Sequence, residues 1–167
     1  MGATPDGYPE CPDSDCRIRA ARASAVDIAY GFEIDYINEI EPESFDHWLS
    51  QAERIRQSFL ENVKPARFVD CGDSAVAYYY WTLSDSETGN LASLCVDRPY
   101  RRRGLGRWLV RCFEEDLLRH GLSTSTLQVR SHNPARFLYY DLGYSTTSGE
   151  TGKQLEMQKS IQTNHVV

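Results

Sequence analysis

Leu91–Arg111 reads LASLCVDRPYRRRGLGRWLVR. It begins as a short apolar strand, passes through a loop carrying Arg101-x-x-Gly104-x-Gly106, and ends as the start of an amphipathic helix. Such a passage suits an anion of the phosphate type. The first N–H groups of a helix have no internal acceptor, and the helix dipole places roughly half a positive charge at the same spot. Glycine at 104 and 106 lets the backbone approach a diphosphate with no Cβ in the way. The window from Arg98 to Arg111 holds six arginines and no acid, while the whole chain carries a net charge of −6, so the remainder sums to −12. A basic patch in an acidic protein predicts a local anion site. Nucleic-acid binders usually carry an overall basic balance, so that class is set aside. A solvated basic helix start with two incidental glycines gives the same letters.

At 167 residues, with 41% hydrophobic and 11% aromatic content, the composition fits one globular domain with a single core. No apolar run approaches the roughly 18 residues that would span a membrane, and the start does not read as a leader peptide. Five cysteines are an odd number, which predicts reduced thiols and a cytoplasmic setting rather than a disulfide framework. Cys11 and Cys16 have no second pair to complete a zinc site, so no metal is expected.

Residues 1–15 are rich in Pro, Gly, Asp and Ser and read as a flexible lead-in. Arg17–Ala21 is a candidate first strand, and Ser24-x-x-Asp27 resembles a capping box that opens a short helix. The segment 31–43 is structurally ambiguous but carries Glu33, Asp35, Glu39, Glu41 and Glu43. From Ser44, the residues Phe45, Trp48, Leu49, Ala52, Ile55, Phe59 and Val63 follow a helical period, with Pro65 beyond its end. The period then becomes two. Strands are predicted over 66–71, 75–83 and 91–97, as an antiparallel meander. Tyr78-Tyr79-Tyr80-Trp81 either form the core or bury against a second copy, leaving monomer and homodimer open. Leu105, Leu109, Cys112, Phe113 and Leu117 mark the buried side of a helix that Gly121 ends. Further strands are predicted near 126–130, 144–148 and 154–160, with a short helix between Asn133-Pro134 and Gly143.

Three motifs in order, between about Leu91 and Ser160, resemble the GCN5-related N-acetyltransferases. The first is Arg101-Arg-Arg-Gly-Leu-Gly106, preceded by Val96-Asp97-x-Pro99-Tyr100. The second is Leu127-Gln-Val-Arg-Ser-His-Asn133. The third is Ala135-Arg-Phe-Leu-Tyr139-Tyr-Asp-Leu-Gly143-Tyr144. Within the family, residues 91–144 look most like the bacterial enzymes that acetylate ribosomal-protein N-termini. The resemblance implies an α/β (α+β) fold with one domain over 16–161 and a tail at 162–167. Its central sheet would be mixed and mostly antiparallel, flanked by helices, with a splayed strand pair forming an acetyl-CoA cleft. It also implies direct transfer of an acetyl group from acetyl-CoA to a primary amine. A catalytically weak CoA-binding module on the same fold is the alternative.

The resemblance assigns roles as well. The N–H groups of Arg101, Arg102, Arg103, Gly104, Leu105 and Gly106 would cradle the CoA diphosphate. The backbone of Leu94, Cys95 and Val96 would pair with the pantetheine arm, and Asn133 would hold that arm from its far side or serve as a helix cap. A covalent role for Cys95 is disfavoured, since family members transfer directly. Tyr139 would be the general acid that protonates the leaving thiolate. The interval from Asn133 to Gly143 is one residue shorter than in similar enzymes, so Tyr140 is the alternative register. A glutamate of those enzymes is replaced by Gln128, which cannot act as a base. A water or an acid from 31–43 would take that role. The acids of that segment, Glu33 and Asp35 first, would line the acceptor side and favour a cationic amine.

Overall fold

The structure is a computed structural model and describes residues 6–147 and 153–162. Strand β1 (Cys16–Ala20) is followed by helices α1 (Val26–Ile40), α2 (Phe45–Ser50) and α3 (Ala52–Glu61). Strands β2 (Arg67–Cys71), β3 (Ser74–Leu83) and β4 (Thr88–Val96) lead to helix α4 (Leu105–Arg119). Then come β5 (Thr124–Arg130), α5 (Ala135–Asp141), β6 (Ser145–Thr146) and β7 (Gln154–Ser160). The seven strands form one mixed sheet in the order β1-β2-β3-β4-β5-β7-β6, in keeping with the expected α/β architecture. The β4–β5 pair is parallel; β1–β2, β2–β3, β5–β7 and β6–β7 are antiparallel.

The chain divides into two compact units. The first comprises Cys11–Tyr80 and Ser93–Gly106. Its core is aromatic: Phe68 stacks on Tyr78 at 5.3 Å, Phe32 stacks on the same ring at 5.6 Å, and Phe59 meets Tyr80 edge-on at 5.8 Å. Tyr78 and Tyr79 are completely buried, so the tyrosine run forms core within the chain. Helix α1 is longer than the short helix expected and absorbs most of the ambiguous 31–43 segment. It runs straight through Gly31, where an added Cβ would meet nothing. Packing of Val26, Ala29, Phe32, Tyr36 and Ile37 on its inner side outweighs the roughly 1 kcal/mol that an interior glycine costs. The Ser24/Asp27 capping box does not form: Ala23–Ala25 is a 3₁₀ turn and α1 starts without a side-chain cap. The helix expected from Ser44 is two helices broken at Gln51.

The cysteine expectation is corrected here. Cys16 and Cys71 lie opposite each other in the β1–β2 register and are joined as a disulfide. Counting cysteines misses this pair because only strand pairing brings together residues 55 apart. Cys11, Cys95 and Cys112 are free thiols.

The second unit is built from Trp81–Ala92 and the chain from Arg107 onward, with the described residues before Cys11. Leu109, Cys112, Phe113 and Leu117 of α4 are fully buried, as their spacing predicts. Gly121, at φ 73°, ends the helix with Leu122 N–H donating to the Leu117 carbonyl at 3.0 Å, a left-handed cap that glycine adopts freely. The lead-in expected to be flexible is instead held against α4. The Tyr8 hydroxyl donates to the buried Asp116 at 2.6 Å, Arg119 lies over the Tyr8 ring, and Trp108 Nε1 donates to the Pro9 carbonyl at 2.8 Å. Strand β6 is short, Ser145–Thr146; the last residue expected in it, Ser148, lies outside the described residues, as does most of the 162–167 tail.

Gly89 on β4 is closely packed against α4. A Cβ built there would stand 2.2 Å from Leu117 Cδ2, and Leu117 is fully enclosed. Gly89→Ala should therefore destabilise the chain by about 1–3 kcal/mol, the usual cost of overpacking, read as a lower midpoint in urea unfolding. An unchanged midpoint would show that Leu117 has room to move.

Candidate active site

The site is assembled around the end of β4. Pairing between β4 and β5 runs from Thr88↔Thr124 to Leu91↔Leu127 and stops, although β4 continues to Val96 and β5 to Arg130. Beyond β4, Asp97 caps a 3₁₀ turn at Arg98–Tyr100, its side chain accepting from Arg98 N–H at 2.9 Å. The chain then turns sharply into α4. Arg102 and Gly104 both have positive φ, 63° and 83°. A left-handed arginine is uncommon and costs about 1–2 kcal/mol, so the surrounding contacts impose this shape. The N–H groups of Arg102, Arg103 and Gly104 have no hydrogen-bond acceptor among the described residues. Alternating backbone conformations that leave successive N–H groups unpaired at a helix start form a concavity suited to an anion. Gly104 is required by its φ; a Cβ there would meet only Pro12 at ordinary distance.

The arginine patch is less positive than its letters suggest. Arg101 turns back from the loop, donating from Nη1 to both Glu39 oxygens (2.6 and 2.8 Å) and from Nε to the Val96 carbonyl at 2.8 Å. Arg98 reaches the same Glu39, Arg103 pairs with Asp13 at 3.4 Å, and Arg107 pairs with Asp141 at 3.3 Å. Among the described residues, Arg102 and Arg111 have no carboxylate partner. Hydrogen bonding from Arg101 holds the Glu39 carboxyl below its ordinary range. The Val96 carbonyl, expected to face a cofactor, is thus occupied by Arg101.

The acidic segment resolves into distinct fates. Glu39 is tied to the arginines, Glu41 is buried, and Asp35 and Glu43 are exposed on the surface. Glu33 points inward. Its Oε1 accepts from the hydroxyls of Tyr78 on β3 and Ser93 on β4, which lie 3.0 Å from each other. Ser93 Oγ is in turn 3.8 Å from Cys95 Sγ. Desolvation raises the Glu33 carboxyl above the ordinary glutamate range, against the two hydrogen bonds that lower it. Burial and the Glu33 charge push the Tyr78 phenol and the Cys95 thiol well up, so Cys95 is held as a neutral thiol. Tyr78 and Ser93 are partners the sequence reading did not single out. The available signal was the helical period: Glu33 falls among Val26, Ala29, Tyr36 and Ile37, a charge on the apolar face of α1.

Asn133, Tyr139 and Tyr140 belong to the second unit. Asn133 Oδ1 accepts from the N–H of Ala135, the first residue of α5, at 2.9 Å. Tyr139 is 8% exposed and meets the Tyr144 ring edge-on at 5.9 Å; Tyr140 is 43% exposed and its hydroxyl lies 2.9 Å from Thr146 Oγ1. The two phenols thus leave the short helix in different directions, one buried and one exposed. Tyr144 in turn shares a hydrogen bond of 2.6 Å with Ser125. Gln128 is exposed and donates to Glu156, its register partner on β7, at 3.1 Å. No group of residues suited to a metal ion occurs among the described residues. No helix there is long and apolar enough to cross a membrane.

The sequence model of the acetyltransferase (GNAT) family matches residues 34–144. The ribosomal protein bS18-alanine N-acetyltransferase of Escherichia coli K12 is 37% identical over 60 residues, 35% of this chain and 40% of that protein. The match thus spans less than half of the relative's length. Among solved structures, the PaiA N-acetyltransferase of Thermoplasma acidophilum in complex with coenzyme A has a TM-score of 0.74 at 14% identity, covering 87% of this chain and 99% of that one. The Escherichia coli ribosomal-protein-S18-alanine N-acetyltransferase has a TM-score of 0.64 at 19% identity, covering 91% and 99%. The strand-loop-helix passage, the β4–β5 ladder that stops at Leu91 and the family match over two thirds of the sequence agree: the chain belongs to the acetyltransferase (GNAT) family.

Proposed function

We propose that this chain is an acetyl-CoA-dependent N-acetyltransferase acting on a primary amine, with residues 16–161 as the transferase domain. One observation carries the reading. Three consecutive backbone N–H groups at Arg102–Gly104 have no acceptor among the described residues, and they follow a strand released from its parallel neighbour. Donors of this kind fit the diphosphate of CoA, and Arg102 adds a cation without a carboxylate partner. Leu94 and Cys95, beyond the last β4–β5 pair at Leu91↔Leu127, would offer backbone groups to the pantetheine amides. Val96 contributes less than expected, because its carbonyl is already bonded. The thioester supplies the activated acetyl group. Tyr139 would donate a proton to the thiolate, with Tyr140 as the alternative; the buried setting of Tyr139 favours it over the exposed Tyr140. Asn133 would hold the arm. The acceptor is proposed only as an amine that is cationic at neutral pH. Asp35 and Glu43 are the exposed acids of the 31–43 segment that favour a cation.

A thermal melt with acetyl-CoA tests this, with ATP as the control. At about a hundred times its dissociation constant a ligand adds roughly 2.7 kcal/mol, on the order of 5–10 °C for a chain of this size. A shift with acetyl-CoA and none with ATP is the expected result; no shift at millimolar acetyl-CoA sinks the cofactor assignment. Gly104→Val should abolish the shift, because a β-branched residue resists positive φ. Tyr139→Phe should lower turnover while leaving the shift intact, and the same loss in Tyr140→Phe alone would reverse the register.

Glu39 gives a pH prediction. Its carboxyl is lowered in the folded chain, so its contribution to stability is full above the ordinary glutamate range and is lost as pH falls through the lowered value. Urea unfolding of wild type and Glu39→Gln should therefore converge on acidification; a constant gap would show that the ion pair adds nothing.

A further inference from the structure

We infer that Glu33 is the general base of this chain, accepting the proton of the acceptor ammonium at Oε2. The inference rests on the transferase reading above. Glu33 Oε1 is committed to Tyr78 and Ser93, whereas Oε2 has no partner among the described residues. The residue is partly exposed, while its carboxyl is desolvated. It borders a small hollow lined by Tyr30, Phe59, Tyr78 and Tyr80, with Arg56 over the Tyr30 ring at 5.3 Å. Ser93, which fixes one side of the carboxylate, immediately precedes the Leu94–Val96 run assigned above to the cofactor arm.

The chemistry requires such a group. An aliphatic ammonium has a pKa near that of lysine, about 10, and an ordinary glutamate near 4.3 is a poor acceptor for its proton. Desolvation moves Glu33 toward the operating range of a general base. The titratable and charged groups facing it are Tyr78 and Tyr80 on β3, Cys95 on β4, Tyr30 on its own helix and Arg56 on α3. The Tyr78 and Tyr80 phenols and the Cys95 thiol are all raised and stay protonated near neutrality. Arg56 is paired with Asp27 at 2.8 Å rather than with Glu33. Glu33 takes one proton from the ammonium, and the freed lone pair forms the C–N bond to the acetyl carbonyl carbon. The C–S bond then breaks. The second proton leaves nitrogen and ends on the thiolate sulfur through the acid proposed above, and Glu33 returns its proton to water.

The test compares the full chain with Glu33→Gln, which keeps the shape of the side chain. In ¹³C NMR of labelled glutamate carboxyls, one resonance should titrate above the ordinary range and vanish in the variant. The probe amines are spermidine and an alanine-initiated hexapeptide. With whichever is acetylated, kcat/KM at neutral pH should fall by about 10²–10⁴-fold. The acid limb of the pH profile should disappear, and the melt shift with acetyl-CoA should be unchanged. Glu156→Gln should leave the rate as it was. An ordinary titration of Glu33, an undiminished rate in Glu33→Gln, or loss of the acid limb in Glu156→Gln instead would each overturn the proposal. If the wild type acetylates neither probe, the titration alone decides. Absence of any acetyl-CoA shift in the wild type would strike the transferase reading rather than the base.

Discussion

The Arg101 guanidinium is the joint on which the first unit turns. It bonds the last carbonyl of β4 on one side and the Glu39 carboxylate of α1 on the other. A planar fork with several donors in fixed directions meets both demands; a lysine ammonium would not reproduce that geometry. The bonds orient the loop that follows β4. The turn that follows into α4 is left-handed at Arg102 and Gly104.

The same helix carries two carboxylates with different surroundings. Glu39 near its C-terminus fixes the loop, and Glu33 in its middle enters the aromatic core between β3 and β4. A carboxylate in such surroundings is expensive unless hydrogen-bonded. Here one oxygen receives two hydroxyl groups, and the other has no partner among the described residues. Tyr78 is central: it stacks on Phe32 and Phe68, so the ring is fixed by apolar contacts while its hydroxyl addresses Glu33. Core packing and placement of the carboxylate are thus one feature.

The lead-in and the disulfide show how long-range contacts complete the frame. Tyr8 donates its hydroxyl to the buried Asp116 of α4, and Arg119 stacks on the same ring. Cys16 and Cys71 fasten β1 to its neighbour at the sheet edge. Neither is signalled locally: a Pro- and Gly-rich opening and an odd cysteine count both argue for the opposite.

Local signals were sufficient for much of this protein. The apolar stripe of α4 and the glycines that stop α4 and α5 follow from backbone geometry and burial of one face, whereas β2 and β3 bury consecutive residues and so both faces. The Arg101–Gly106 loop was legible because a strand, a glycine turn and a helix start constrain one another over a few residues. Tertiary structure alone decided which arginines keep a free charge, because neutralisation depends on Glu39, Asp13 and Asp141, all distant in sequence. It also separated Tyr139 from Tyr140, since a one-residue change of register turns a helical side chain by about 100°. Finally, it singled out Glu33 from five acids that look alike as letters. Desolvation and hydrogen bonding depend on what surrounds a carboxylate, and those surroundings come from β3 and β4.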